Sequence, residues 1–497
     1  MSKFYLTTAI PYANGDAHLG HCLEIIIADV LARFYRNSGK QVIFQTGTDE
    51  YGKKNFTTAL AAGKSVEEFL DGTVQGFKDL YAKLNISYDT FIRTSDQKIH
   101  YPGVIKIWQR LVENGDIYKG KFKSLYCVGC ESFKTVRDLK EGKCGDHPTR
   151  ILEEVEEENY FFRLSKYKDR ICEIIANREI KIVPENKYHE LSTMLTHLDD
   201  ISVSRPRESC LWGIPVPGDE SQLIYVWIDA LSTYINGQGY GRDDGKFKDI
   251  WPANCQIIGK DILKFHAIIW PALLLAVDLP LPLELYVHGF ITNQGQKMGK
   301  SNGNSINPQY LLEKYSADLL RFYFIGSLTN EDLDFSVQQF EDRIDSGLAN
   351  NLSNFCYRTL TLIQKRLGGK IGTLNRDNKY ISEIIHKSKW VNIYFEKREF
   401  KSAVDEILSI ASLGNLYYQE TTVWIAELPL ATEILTTCCN IVRILATLLS
   451  PVCPTLCANL FGQLNASPSL EFDLENHVIG TPSILVQRFK TKSHTKA

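Results

Sequence analysis

The sequence FYLTTAIPYANGDAHLGH, residues 4–21, predicts the fold class of this chain. Its first seven residues are typical of a short buried strand, and Pro11 to Gly15 form a loop. His18 then begins a pattern of apolar residues at helical spacing. A second predicted strand, Gln41 to Thr46, precedes a Gly-Thr-Asp-Glu sequence. Strand, loop, helix and strand in this order are typical of a parallel α/β sheet, which binds ligands at the carboxyl ends of its strands.

An insertion interrupts this pattern. Residues 116–220 are rich in Lys, Glu and Gly and contain spaced cysteines, whereas the α/β pattern returns at residues 223–227 and 256–259. We therefore predict one Rossmann-like, parallel-sheet α/β domain formed by residues 1–115 and 221–290 and split by the insertion.

The second half of the chain has a different character. Long helical periodicities occur at Gly347–Leu362, Val404–Tyr418 and Thr432–Leu449. They predict a separate α-helical bundle at residues 346–480, joined to the first domain by residues 291–345 and followed by a strand and basic tail at 481–497.

Composition limits the class of protein. The chain has 497 residues, of which 44% are hydrophobic and 23% charged, so it has ample material for about three packed domains. The formal net charge of −3 does not indicate a nucleic-acid partner, and any basic surface has to be local.

The N-terminus lacks the pattern of a targeting segment, and the most apolar run, residues 268–277, is too short to span a bilayer. We expect a cytoplasmic protein without membrane association, in which clustered cysteines are metal ligands.

Two histidines lie at the start of the first predicted helix. His18 and His21 are three residues apart and share one face of its first turn. A helix start offers backbone N–H groups and a positive dipole end to a phosphate, and Gly20 allows a flat base or a ribose to approach. Taken alone, the pattern is equally compatible with histidines that only cap or pack, and with a small nucleotidyltransferase.

A second candidate is a segment of small residues that contains two lysines. Its sequence is Lys297-Met298-Gly299-Lys300-Ser301. Such a loop is flexible and cationic and therefore suits a polyphosphate, although a solvated surface turn is the alternative for an isolated segment of this kind.

The insertion contains a candidate metal centre. Cys127 and Cys130 form one pair of ligands, and Cys144 and His147 form a second pair at the same spacing. Three thiolates and one imidazole complete a tetrahedral set for structural zinc, with no position left open for catalysis.

The two motifs, in this order, resemble the signatures of class I aminoacyl-tRNA synthetases. The resemblance is specific to methionyl-tRNA synthetases, of the bacterial and organellar branch, in further segments: residues 9–15, 47–50, 225–230, 259–266, 287–290 and 354–358, and the zinc knuckle. It covers nearly the whole chain, from Phe4 to Arg488. It implies a Rossmann-like catalytic domain split by a zinc-knuckle insertion and followed by an α-helical anticodon-binding bundle.

The resemblance implies that the chain activates L-methionine with ATP and transfers it to tRNA(Met). His18 and His21 would bind the ATP phosphates, and Lys297 and Lys300 would hold the departing pyrophosphate. Magnesium would accompany the ATP. Supporting positions around the nucleotide would be Asn14, Glu24, Arg205 and Ser301.

The resemblance also assigns a methionine pocket and an anticodon site. Asp49 would take the ammonium group, and the side chain would be enclosed by Ile10, Tyr12, Trp227, Ala230, Tyr234, Ile262 and His266. Such a cage suits a thioether, because a sulfur–aromatic contact contributes ~0.3–1.5 kcal/mol. Taken singly, Trp227, Tyr234 and Ile262 are also compatible with plain core packing. The anticodon readers would be Asn354, Arg358 and Trp424.

Some positions depart from the family pattern. Gly299 replaces a common Ser, Tyr51 replaces a common His, and Leu231 stands where some members have Pro. The role of position 51 is therefore open. Because dimeric members pair through a C-terminal extension that we do not find here, we expect a monomer.

Three other functions fit the sequence less well. Another class I synthetase would need a larger insertion for an editing site, and a nucleotidyltransferase has no need of the helical bundle. A tRNA-binding relative without catalysis would be expected to have lost its active-site ions, whereas this chain retains them: His18, His21, Asp49, Lys297 and Lys300. The sequence therefore favours a catalytic methionyl-tRNA synthetase.

Overall fold

The computed structural model describes residues 2–129, 132–134, 139–145, 148–196, 198–298 and 306–489, with the backbone alone at 122–124, 132, 133, 155 and 297. Packing divides the chain into two units. Unit 1 contains the described residues of Met1–Ala28, Ser38–Ala82 and Ser87–His288. Unit 2 contains those of Asp29–Asn37, Lys83–Ile86 and Gly289–Ala497.

Unit 1 contains fifteen strands within its described residues. They are β1 (Lys3–Thr8), β2 (Gln41–Thr48), β3 (Thr90–Arg93), β4 (Ile117–Cys127), β5 (Ser132–Lys134), β6 (Leu139–Lys140), β7 (Lys143–Cys144), β8 (Glu153–Phe162), β9 (Lys181–Val183), β10 (Ile201–Ser202), β11 (Ser204–Pro206), β12 (Pro215–Val216), β13 (Asp219–Ile224), β14 (Cys255–Gly259) and β15 (Glu284–His288).

The first helix, α1 (Leu19–Asn37), begins in unit 1 and ends in unit 2. The other helices of unit 1 are α2 (Lys53–Ala61), α3 (Val66–Lys83), α4 (Tyr101–Glu113), α5 (Lys168–Ala176), α6 (Lys187–Leu195), α7 (Arg207–Cys210), α8 (Val226–Asn236), α9 (Asp244–Ile250) and α10 (Trp270–Ala276). Short 3₁₀ turns cover Leu164–Tyr167 and Lys260–Ile262, and a π-turn covers Phe265–Ile269.

A parallel sheet of six strands organises unit 1, in the order β3-β2-β1-β14-β15-β9. Residues 4–8 of β1 are all buried, as expected for a central parallel strand covered on both faces. The strand order reverses between β1 and β14, and a doubly wound sheet binds its ligand at the carboxyl ends of the strands at such a point. The strands predicted at residues 4–10, 41–46 and 256–259 are confirmed as β1, β2 and β14.

The predicted insertion contributes to several sheets. Four strands form a sheet in the order β10-β8-β4-β5, and β11, β13 and β12 form a smaller antiparallel one. Two findings go beyond the sequence analysis. β9 joins the edge of the six-stranded sheet beside β15, and the segment 223–227 is divided between β13 and the start of α8.

Unit 2 is mostly helical. Its strands are β16 (Ile291–Asn293), β17 (Gln296–Lys297) and β18 (Leu333–Asp334). Its remaining helices are α11 (Pro308–Lys314), α12 (Ala317–Ser327), α13 (Val337–Arg343), α14 (Asn354–Leu367), α15 (Lys379–Lys397), α16 (Phe400–Glu420), α17 (Leu428–Leu449) and α18 (Pro454–Leu464), with a π-helix at Ile344–Ser353. The three predicted helical segments are therefore confirmed, although the first changes from π to α geometry at Asn354. The predicted domain boundaries stay predictions.

Helix α17 is long and apolar enough to cross a membrane, with a mean hydropathy of 1.4. In the structure 83% of that window is buried inside the protein. Its apolar composition is therefore accounted for by its place in the core of unit 2.

Candidate active site

His18 and His21 close the start of α1 by a reciprocal arrangement of hydrogen bonds. The Gly20 N–H donates to His18 Nδ1 (3.1 Å), and the His18 N–H donates to His21 Nδ1 (3.2 Å). The arrangement resembles a capping box built from two imidazoles, except that His18 accepts from the second helical residue and not from the third. Because both Nδ1 atoms accept from the backbone, each neutral ring carries its proton on Nε2 and presents that N–H as a donor.

The two rings stack on each other, with centroids 3.8 Å apart and planes 16° from parallel. A Cβ at position 20 would lie 2.9 Å from His18 Cε1, so glycine allows the ring to fold over the helix start. The pair follows the loop after β1, at the point where the strand order reverses. A phosphate bound there would meet two imidazole donors and the positive end of α1.

The loops after β1 and β2 are held side by side. The Asp49 N–H donates to the Pro11 carbonyl (2.9 Å), and the Ala13 N–H donates to the Asp49 carbonyl (2.8 Å). These bonds place Tyr12 beside Asp49. Asp49 is 8% exposed, so the site has a buried carboxylate suited to a cationic amine.

A tyrosine and a histidine form the buried wall of the predicted methionine pocket. His266 Nδ1–H donates to the Ile262 carbonyl (2.9 Å), which leaves Nε2 as the acceptor for the Tyr234 hydroxyl (2.7 Å). Burial lowers the pKa of His266 to about 4, although its bond to Ile262 acts in the opposite direction. The ring is therefore neutral at neutral pH.

Trp227, another residue predicted for the pocket, belongs to an aromatic pair. The Trp227 and Phe265 rings stack with centroids 3.6 Å apart and planes 10° from parallel. Phe265 was not singled out from the sequence, although it belongs to the quoted segment 259–266. It begins the π-turn after β14, and such turns are frequent at functional sites.

Glu24 contacts the end of β15. Its carboxylate accepts a hydrogen bond from His288 Nε2 (3.0 Å). Burial raises the pKa of Glu24, and His288 acts in the opposite direction. His288 is a second residue near the site that the sequence does not single out, although it belongs to the quoted segment 287–290.

A cationic and aromatic cluster lies in unit 2. The Arg358 guanidinium is 4.6 Å from the centroid of the Tyr418 ring, which lies 5.9 Å from that of Trp424. Arg366 donates to the Val423 and Ala426 carbonyls (2.7 Å each) and thereby holds the turn that carries Trp424. The structure thus brings together Arg358 and Trp424, with exposed Asn354 one turn away on α14.

Comparisons with known proteins identify the family of this chain. Residues 4–150 and 149–360 match the family described as tRNA synthetases class I (M), and residues 367–477 match the anticodon binding domain of methionyl tRNA ligase. The methionine–tRNA ligase of Caldanaerobacter subterraneus subsp. tengcongensis is 39% identical over 94% of this chain and 74% of its own length. That of Thermosynechococcus vestitus is 39% identical over 93% of this chain and 90% of its own length. This chain belongs to the methionyl-tRNA synthetase family.

Solved structures of the family have the same fold. Mycobacterium tuberculosis methionyl-tRNA synthetase in complex with methionyl-adenylate superposes with a TM-score of 0.92 at 32% identity, over 98% of this chain and 99% of that one. The apo form superposes with a TM-score of 0.85 at 29% identity, over 99% of both chains. The methionyl-tRNA synthetase fold of an α/β domain followed by a helical anticodon domain therefore describes this chain.

The remaining nucleotide positions expected of a methionyl-tRNA synthetase are only partly described. Lys297 ends β17, Lys300 and Ser301 lie outside the described residues, and half-buried Asn14 follows Tyr12 in the loop after β1. Arg205 is packed in the insertion, where its guanidinium lies 4.2 Å from the Tyr225 ring centroid.

Only two of the four predicted zinc ligands belong to the described residues. Cys130 and His147 lie outside the described residues, whereas Cys127 and Cys144 are fully buried at the end of β4 and in β7. Among the described residues, no group of three His, Cys, Asp or Glu side chains could hold a metal ion. The described residues therefore do not test the predicted zinc knuckle as a complete set of four ligands, and it stays a prediction.

Proposed function

We propose that this chain activates L-methionine with ATP to form methionyl-adenylate and then transfers the methionine to tRNA(Met). One observation carries the proposal. The stacked His18–His21 pair follows β1, the Asp49 carboxylate follows β2, and Phe265 and His266 follow β14, which are three neighbouring strands of one parallel sheet. A nucleotide and an amino acid bound at these strand ends would meet at the point where the strand order reverses.

In the first step, the methionine carboxylate attacks the α-phosphorus of ATP and pyrophosphate leaves. The Nε2–H groups of His18 and His21 donate to phosphate oxygens whose charge grows in the transition state. Because capping hydrogen bonds already orient both rings, little reorganisation is needed during the reaction. Lys297 and Lys300 would hold the pyrophosphate, with magnesium accompanying the ATP.

The pocket supports selection of a neutral, flexible side chain. His266 and Tyr234 satisfy each other by a hydrogen bond, so that neither side chain presents a charge to the substrate. Trp227 and Phe265 add a polarizable surface suited to a thioether. Asp49 would pair with the substrate ammonium group and so orient the carboxylate towards the nucleotide.

We further propose that the cluster around Trp424 reads the anticodon. Trp424 is 39% exposed and Arg358 lies beside it on the Tyr418 ring, which gives unstacked bases a platform and a cation. Asn354 would add a polar contact.

We also propose a structural zinc ion in the insertion. Cys127 and Cys144 are fully buried, although Glu141 to Lys143, which precede Cys144, are exposed. Soft thiolate ligands suit zinc, and Cys130 and His147 would complete the set. The test is metal content: Cys144→Ser should lower bound zinc, whereas Cys172→Ser, at a half-buried cysteine on α5, should not.

The predicted monomeric state and cytoplasmic location stay predictions.

The test of the proposed function is aminoacylation. The protein should attach radiolabelled methionine to a tRNA(Met) transcript, with release of AMP and pyrophosphate, and a transcript with a changed anticodon should be charged poorly. Binding of the transcript without any charging would contradict the proposal and would indicate a tRNA-binding relative without catalysis.

A further inference from the structure

Two faces of helix α8 carry residues at the same spacing. Trp227, Ala230 and Tyr234 lie at positions i, i+3 and i+7 and form the pocket face. Asp229, Ser232 and Asn236 repeat this spacing on another side of the helix. Polar residues that are buried at i, i+3 and i+7 need partners on a neighbouring element.

That partner is His100, which directly precedes α4. His100 Nε2–H donates to Asp229 Oδ1 (2.6 Å), and the Asn236 amide donates to His100 Nδ1 (3.1 Å) and to the His100 carbonyl (3.2 Å). Asn236 also donates to Ser232 Oγ (2.9 Å). One fully buried imidazole is therefore hydrogen-bonded to α8 at Asp229 and at Asn236, which are two helical turns apart.

Glycines make this close approach possible. A Cβ at Gly103 in α4 would lie 1.9 Å from Asn236 Oδ1, and a Cβ at Gly241 would lie 2.9 Å from the Gly103 Cα. The side chain of Asn236 has little room to move, because its amide is already bonded to His100 and Ser232. The rotation of α8 relative to the start of α4 is thus set by direct contact.

The next residue, Tyr101, contacts the other half of the pocket. Its hydroxyl is hydrogen-bonded to that of Tyr51, and the Tyr12 hydroxyl donates to the Tyr51 carbonyl (2.6 Å). Tyr51 lies two residues after Asp49, the predicted ammonium ligand. Trp212 supports the same loop by donating from Nε1 to the Glu50 carbonyl (3.0 Å).

We propose that His100 and Tyr101 are positioning residues for methionine. The pair joins the loop that carries Asp49 to the helix that carries Trp227, Ala230 and Tyr234, and it thereby sets the separation between the ammonium site and the side-chain cage. This inference rests on the proposed function. It also gives a role to Tyr51, the position that departs from the family pattern, because its hydroxyl completes the link.

The test is the variant Tyr101→Phe, which removes one hydroxyl and keeps the ring. In methionine-dependent ATP–pyrophosphate exchange, we expect the KM for methionine to rise about three- to tenfold, because the link to Tyr51 loses its hydrogen bond. The kcat and the KM for ATP should change less than about twofold, since the histidine pair is untouched. The matched control is Tyr240→Phe, because the buried Tyr240 hydroxyl has no hydrogen-bond partner in the described structure.

A second variant separates positioning from general stability. The double variant Tyr51→Phe/Tyr101→Phe should have the same KM for methionine as Tyr101→Phe alone, because both changes remove the same hydrogen bond. His100→Gln should raise this KM further, and equilibrium dialysis should give a matching loss of methionine affinity. An unchanged KM in Tyr101→Phe, or parallel changes in kcat and both KM values, would overturn the inference. Wild-type protein that does not exchange with methionine would overturn the proposed function first, and this inference with it.

Discussion

At the scale of single residues, the two ring nitrogens of His18 and of His21 have different roles. The Nδ1 atoms accept backbone hydrogen bonds that close α1. The Nε2–H groups are the donors that we propose for phosphate. This division can be tested, because asparagine and glutamine each reproduce one of the two nitrogens.

We predict that His18→Asn is more harmful than His18→Gln. Asparagine places its oxygen near the Nδ1 position and keeps the cap, but it has no donor at the Nε2 position. The kcat of exchange should therefore fall about 10²-fold in His18→Asn, the cost of losing one preorganised donor, and less in His18→Gln. Steady-state kinetics with a fixed methionine concentration measure both variants. Equal activity in His18→Asn and wild type would remove the donor role.

His266 predicts a pH dependence of stability. Burial lowers its pKa to about 4 from an ordinary value near 6.5. At pH values between these two, the unfolded chain therefore binds a proton at this histidine and the folded chain does not. Between these values, the free energy of unfolding should fall by about 1.4 kcal/mol for each unit of decrease in pH. Urea unfolding of unit 1 at pH 6 and pH 5 should show this loss in the wild type and not in His266→Gln. The same slope in both proteins would contradict the assignment.

At the scale of elements, we predict opposite changes in the free energy of unfolding for alanine at two glycines. One glycine is packed between α4 and α8, and the other lies on the exposed side of α3. Gly103→Ala drives a Cβ into Asn236 and should lower the free energy of unfolding by about 1–3 kcal/mol. Gly76→Ala, on the exposed side of α3 with open space around it, should raise it by about 0.5–1 kcal/mol. Thermal or urea unfolding compares the two. A neutral Gly103→Ala would show that the helices can separate.

The same elements show what could be predicted from the sequence. β1 and β14 consist largely of buried residues, and their composition alone indicates buried strands. β9 has three residues, one of them a lysine, and its place beside β15 depends on pairing with a distant part of the chain. Such pairing leaves no local signal.

The candidate site also has one part that could be predicted from the sequence and another that could not. The His18–His21 pair could be predicted because both residues lie in one turn of helix. The contact of His100 with Asp229 and Asn236 joins residues far apart in sequence, and no short motif contains them. The stacking of Phe265 on Trp227 likewise depends on a π-turn that apolar periodicity does not distinguish from an α-helix.

At the scale of the whole molecule, the α/β unit and the helical unit carry different parts of the proposed function. Trp424→Ala should therefore raise the KM for tRNA(Met) about tenfold or more, the cost of one stacked base, and leave methionine-dependent exchange unchanged. Trp390→Ala is a matched control, because Trp390 on α15 is 38% exposed, close to the 39% of Trp424, and lies beside His386 and Tyr394. Loss of exchange in Trp424→Ala would indicate a folding role.

The most direct test of the whole account is ATP–pyrophosphate exchange by the wild-type protein with magnesium, in which methionine is compared with isoleucine, leucine, valine and cysteine. The account predicts exchange with methionine and little with the other four, because a neutral aromatic cage suits a thioether side chain. Exchange with a different amino acid would contradict the assignment of the pocket. No exchange with any of the five, in folded protein, would contradict the proposed activity itself.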